Sequence, residues 1–231
     1  DEAGQVTLGT TIANATAAKN LVLIGDQMQL SQPMRAKHEG YAKLSSLDFV
    51  LENNDTIPPD KGIFLNITRR LNKKICNYIS TSFYDSRLTS DPITETRSVN
   101  LKLDPIKDEG LFYVPIEHSG CSQRSDEEAD LIEKTYNRII KKEFKVGKKL
   151  GKISSKDIMV VAPYNAQANN IRERLKKKND DVRVGTIDLF QGQEAKVVLI
   201  SMTSSDVESL PRHKDFFFSR NRLNVAISRA E

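Results

Sequence analysis

Ile158-Met159-Val160-Val161-Ala162 is followed by Pro163-Tyr164-Asn165, then by a helical pattern to Lys178, and then by the apolar segments Val182 to Gly185 and Val197 to Met202. A continuous apolar run of this length, closed by a turn signal, reads as a strand covered on both faces. Strands separated by a helix need crossover connections, so the sheet is mostly parallel and the class is α/β. Val197 to Met202 reads as its most deeply buried strand. Working toward the N-terminus, Ser125 and Glu128 have the spacing of a capping box that opens a helix from 126 to about 144, followed by a basic, glycine-containing loop. Leu111 to Ile116 and Gly62 to Asn66 read as strands, and 86–110 as polar and irregular. Asn72 to Phe83 reads as a helix with Ile75, Tyr78, Ile79 and Phe83 on one face. A helix over 5–18, a buried strand at Leu21 to Ile24 and a weak helix near 41–50 precede the loop-like Asn53-Asn54-Asp55 and Pro58-Pro59. These breaks suggest two regions, 1–60 and 61–231.

The chain has 231 residues, of which 38% are hydrophobic, enough for one domain with a sizeable core or for one domain and part of another. A net charge of +4 does not by itself point to nucleic acid. Two runs are strongly basic: six lysines against one glutamate over 141–152, and five basic residues against one acid over 172–178. Such runs also suit solvated helix faces. Cys76 and Cys121 form neither a disulfide framework nor a zinc site, and His38, His118 and His213 lack ligand spacing. The sequence contains no run of about 20 apolar residues and no signal-peptide pattern at Asp1, so a cytoplasmic location without a membrane partner is expected.

Four stretches could carry chemistry. Asp1-Glu2, before Ala3-Gly4, pairs two carboxylates; nucleoside triphosphate hydrolysis needs one acid on Mg²⁺ and another near the attacking water. The same pair also reads as an acidic terminus. Gly25-Asp26-Gln27-Met28-Gln29-Leu30 follows an apolar run, at the strand tip where a polar side chain can sense phosphate, although it also suits a plain turn. Gly185-Thr186-Ile187-Asp188-Leu189-Phe190-Gln191-Gly192-Gln193-Glu194 has too few core residues to be explained as structure alone. The last, Arg220 to Arg229, places Arg222, Ala226 and Arg229 on one helical face beside Leu223 and Ile227.

Together with Leu65-Asn66-Ile67-Thr68-Arg69-Arg70 and Val161-Ala162-Pro163-Tyr164-Asn165-Ala166-Gln167, and ending on Arg222 to Ala230, this order of motifs resembles the superfamily 1B helicases. It looks most like the group that contains the nonsense-mediated decay helicase and nuclease-associated DNA helicases. The resemblance implies a RecA-like P-loop NTPase core, with 1–60 as the rear of a first lobe and 61–231 as most of a second. It implies ATP as substrate and Mg²⁺ as cofactor, with Asp1 on the metal and Glu2 as general base. Gln29 would contact the γ-phosphate, Arg70 and Arg229 would be arginine fingers, Gly192 a backbone donor near the phosphates and Glu194 the ribose contact. Pro163, Tyr164, Asn165 and Thr186 would grip the backbone of a single strand.

The family pattern of tyrosine before the first finger and Met-His-Pro after it is replaced by Arg69 and by Leu71-Asn72-Lys73, which leaves Arg69 as a competitor. No Gly-x-x-x-x-Gly-Lys-Ser/Thr loop occurs in the chain. In the family that loop lies upstream of Asp-Glu-Ala, so the chain is expected to be an incomplete core that binds ATP weakly and hydrolyses none alone. The whole protein is then expected to be an ATP-dependent helicase or translocase moving 5′ to 3′ on single-stranded DNA, with a fused nuclease as one partner arrangement. An RNA helicase and an inactive nucleic-acid or protein binding module are the alternatives.

Overall fold

The computed structural model describes residues 1–31, 39–52, 54–101, 103, 106, 109–176, 181–205 and 219–231. His38, His213 and the tail of the expected helix at 177 and 178 lie outside them. In chain order the main elements are α1 (Leu8–Ala15), α2 (Ser46–Leu51), β1 (Ile67–Thr68), α3 (Lys73–Phe83), β2 (Thr89–Ser90), β3 (Arg97–Asn100), α4 (Asp126–Ile139), β4 (Glu143–Val146), β5 (Lys149–Lys152), β6 (Ile158–Val161), α5 (Asn165–Lys176), β7 (Arg183–Gly185), β8 (Val197–Ile200) and α6 (Arg220–Ile227).

The central sheet has the order β7-β6-β8 and both pairings are parallel. All four residues of β6 are buried, and their alternation sorts the core into two layers. Ile158 and Val160 pack with Ala129, Ile132 and Tyr136 of α4 and with Ala168, Ile171 and Leu175 of α5. Met159 and Val161 pack on the other face with Ile187, Phe190 and with Val225 and Ala226 of α6. Helices on both faces of a parallel sheet make this the α/β, RecA-like arrangement that the sequence leads one to expect. A third cluster joins α3 to Met28 and Ile227, and a small one unites Ala3, Leu47 and Leu51.

Several expectations are corrected. β8 is only half-buried, whereas β6 is the strand that disappears into the core. β8 is one edge of the sheet, beside an apolar cavity of about 810 Å³ also lined by Leu111, Phe112, Val114 and Ile116. Leu111 to Ile116, read as a strand, has no ladder partner among the described residues, and neither does Leu21 to Ile24 or Gly62 to Asn66. The first of these last two is not buried either: Leu21, Val22 and Ile24 are exposed. The helix from 126 ends at Ile139, and the supposed basic loop is the hairpin β4-β5, paired antiparallel with β3 out of the stretch read as irregular. Lysines on such an edge keep it from pairing with other chains.

The capping box at Ser125 is only half made. Its hydroxyl accepts the Glu128 N–H at 3.1 Å, while its own N–H donates to Gln167 Oε1 at 2.9 Å. Glu128 turns away because buried donors at the end of β8 claim it: the N–H groups of Met202 and Thr203, each at 2.9 Å, and the Ser201 hydroxyl. A buried carboxylate is tolerable only with partners of this kind.

Candidate functional site

Ala3-Gly4 and Gly25-Asp26 are packed backbone to backbone. The Ala3 N–H donates to the Ile24 carbonyl at 2.9 Å, and a Cβ on Gly25 would stand 2.6 Å from Ala3 N, one on Gly4 2.7 Å from Asp26 O. Only glycine permits that approach, and it sets the segment that follows the acidic pair beside the turn at Gly25 and Asp26. Asp1 and Glu2 are both exposed; Asp1 Oδ1 accepts the Glu2 N–H at 2.9 Å, and Glu2 lies in the left-handed region at φ 58°.

A cleft of about 1170 Å³ is lined by Asp26 and Gln29 from this turn, by Arg70, by Glu194 and by Asn224 and Arg229 at the end of α6. Arg70 Nε donates to Glu194 Oε2 at 2.8 Å. Arg69 instead points outward, 84% exposed at its side chain, to Asp91. Arg229 is 2% exposed. Its Nε donates to the Val225 carbonyl at 3.1 Å and one terminal nitrogen to the Gln193 carbonyl at 3.2 Å, and among the described residues it has no carboxylate at ion-pair distance. Burial, and then the Arg70 cation, hold its pKa below the ordinary arginine value, against the pull of Glu194 and Asp26. A guanidinium remains charged regardless, so the cleft holds a buried cation with room for an anion. Gln29 Nε2 donates to Asp26 Oδ2 at 3.0 Å.

Four of the sequence-selected residues, Gln29, Arg70, Glu194 and Arg229, therefore line one cleft. Asp1, Glu2 and Gly192 are not part of its lining; Asp1 and Glu2 directly precede Ala3, which bonds to Ile24, a lining residue. Gly192 is exposed at φ 75°, a conformation that favours glycine. Among the described residues no group of three or more His, Cys, Asp or Glu could hold a metal on its own. Mg²⁺ bound with substrate phosphates needs only one or two protein carboxylates, with water filling the rest, so the acidic pair fits that donor chemistry.

Pro163, Tyr164, Asn165 and Thr186 form a separate group at the carboxyl ends of β6 and β7, joined by the Ala162 N–H to Gly185 carbonyl bond at 3.0 Å. The chain leaves β6 into α5 on one face and β7 into Ile187–Phe190 on the other. The carboxyl ends of strands whose connections diverge in this way are where ligands bind in α/β folds. Burial raises the pKa of the Tyr164 phenol above its ordinary value, opposed by a hydrogen bond with the Ser204 side chain. The segment 186–194 runs from these strand ends to Ala195, which precedes β8 and whose N–H donates to the Arg229 carbonyl at 2.9 Å. It thus spans the sheet, with Thr186 at one site and Glu194 at the other, which explains its poverty in core residues.

The sequence reading missed Tyr84 and Asn224. Tyr84 O–H donates to Asp26 Oδ2 at 2.6 Å and accepts from Asn224 Nδ2 at 2.9 Å. Tyr84 follows the last residue of α3 and packs in the same cluster as its buried face, and Asn224 lies on the buried side of α6. A buried polar side chain gives no periodic signal that separates it from core.

A family model described as an AAA domain matches residues 43–231. Among curated proteins, the DNA polymerase alpha-associated DNA helicase A of Schizosaccharomyces pombe is 30% identical over 241 residues, covering 99% of this chain and 35% of the relative. An uncharacterized ATP-dependent helicase of Methanocaldococcus jannaschii is 28% identical, covering 100% of this chain and 34% of the relative. The DNA-binding protein SMUBP-2 of Mus musculus is 26% identical, with 100% and 23% covered. The chain spans about a third or less of the length of these relatives. The chain belongs to the AAA domain family, as a P-loop NTPase, helicase-like domain related to the superfamily 1 and 2 helicases.

Proposed function

We propose that this chain is the part of an ATP-dependent DNA helicase or translocase that joins the ATP site to the single-stranded nucleic-acid track, and that the whole protein moves 5′ to 3′. The observation that carries this reading is the cleft where the buried Arg229 meets Arg70, Glu194 and Gln29. Its relatives, a DNA helicase and an ATP-dependent helicase among them, point the same way. In this reading residues 1–60 belong to a first RecA-like lobe and 61–231 to a second.

Asp1 and Glu2 would hold Mg²⁺ and orient the attacking water; the metal, when bound, supplies charge that neutralises the phosphates. Gln29 reports on the γ-phosphate. Arg229, fixed by two backbone carbonyls and shielded from water, stabilises the charge that spreads over the transferring phosphoryl group, and Arg70 joins it when released from Glu194. Pro163, Tyr164, Asn165 and Thr186 hold the strand by its backbone, so affinity falls as salt rises and is indifferent to base sequence.

The test is steady-state ATP hydrolysis by the full-length protein with and without single-stranded DNA or RNA. Arg229→Ala is expected to lose about a thousandfold in turnover, the scale of an arginine finger. Hydrolysis at the wild-type rate in that variant would remove the assignment, and stimulation by RNA alone would move the substrate from DNA to RNA.

A further inference from the structure

We propose that Tyr84 and Asn224 are positioning residues that couple the Gln29 side chain to helix α6 and its terminal Arg229. The inference rests on the reading above, in which Gln29 and Arg229 face the nucleotide. Asp26 is the hub. Its Oδ1 accepts the Met28 N–H at 2.9 Å, and its Oδ2 is shared between Gln29 Nε2 at 3.0 Å and the Tyr84 hydroxyl at 2.6 Å. From Tyr84 the chain of bonds passes to Asn224, whose Nδ2 also donates to the Met28 carbonyl at 2.8 Å. One turn earlier, Asn221 Nδ2 bonds to the carbonyls of Gln27 and Gln29 at 2.8 and 2.6 Å. The phosphate-sensing turn is thus tied to α6 by side chains alone, while α6 runs directly into Arg229, which is anchored on Val225.

Two features make this a device with two states. In this reading a phosphate competes with Asp26 for the Gln29 amide, so nucleotide would weaken that bond and leave Asp26 Oδ2 more to Tyr84. The Asn224 Oδ1, in contrast, is buried with no partner among the described residues. The Met28 carbonyl, which accepts only from the amide nitrogen, fixes that orientation. A buried acceptor left open is uncommon and costly, and Asn224 lines the same cleft, so the network is one donor short in this state. Tyr84 is 9% exposed, and burial together with the Asp26 carboxylate raises its phenol pKa, so it stays a donor across the working pH range.

Tyr84→Phe deletes one hydroxyl and keeps the ring; the test compares it with wild type and Arg229→Ala in the full-length protein. Turnover and KM for ATP are measured, together with amide hydrogen exchange across 220–229 before and after adding a non-hydrolysable ATP analogue with Mg²⁺. The expected result is a fall of about tenfold in kcat with KM nearly unchanged, the usual size of a coupling, and loss of the nucleotide-induced change in exchange that wild type shows. Wild-type kcat, or an unchanged exchange response, overturns the relay. Asp26→Asn, which weakens the same shared acceptor, serves if Tyr84→Phe fails to fold and is read by the same two measurements. Should Arg229→Ala hydrolyse ATP normally, the functional reading falls; should it be inactive while Tyr84→Phe behaves as wild type, only the relay falls.

Discussion

Ile158–Val161 and Leu21–Ile24 are both four-residue apolar runs ahead of a turn, and the structure treats them in opposite ways. The first is entirely buried, flanked in the sheet by β7 and β8 and covered by helices on both faces. The second has no ladder partner among the described residues, leaves Val22 76% exposed and forms one wall of the cleft. Burial of a strand is therefore a property of its neighbours, since the pleated backbone offers two edges and two faces that other elements must fill.

Substitution can break this contrast. Ile158→Ala, in a site packed on all sides, is expected to cost about 2–5 kcal/mol in urea unfolding. An intermediate effect is expected at Asp157, on the turn that feeds β6. Burial works to raise its pKa, but hydrogen bonds from Lys196, at the head of β8, and from Ser154 prevail and lower it. The folded state thus holds the Asp157 proton less tightly than the unfolded chain, so the stability it lends is complete above about pH 4 and is lost as pH falls through the folded value. Asp157→Asn should cost about 1 kcal/mol at neutral pH and flatten the acid limb of a stability-pH curve. The smallest effect is expected for Val22→Ala, within about 0.5 kcal/mol. If it matched Ile158→Ala, the contrast drawn from exposure would be wrong.

The parallel strands β6 and β7 and the helix α5 were legible because their apolar runs and spacing match the burial they reach. The hairpin β4-β5 was not: its lysines hid a strand pair whose only inward anchor is the half-buried Phe144, packed against the main core. Glu128 was legible as a capping residue and is instead the acceptor for the end of β8, because hydrogen-bond partners distant in sequence outcompete the local one. Among the candidate residues, the order of motifs marked Gln29, Arg70, Glu194 and Arg229. It gave no role to Tyr84 or to Asn224, which differ from core residues by a hydroxyl and an amide group.

The sequence by itself determined the α/β class, through apolar runs spaced by a helix, and the motif order that marks a helicase-like NTPase. Only the tertiary structure decided which apolar run is core, that Arg69 faces solvent while Arg70 meets Glu194, and that Arg229 is buried at the cleft that Asp26 also lines. The reason is physical: period and propensity act over a few residues along the chain. Burial and charge pairing are set by groups that meet only once the sheet, its helices and the two glycine-permitted backbone contacts bring them together.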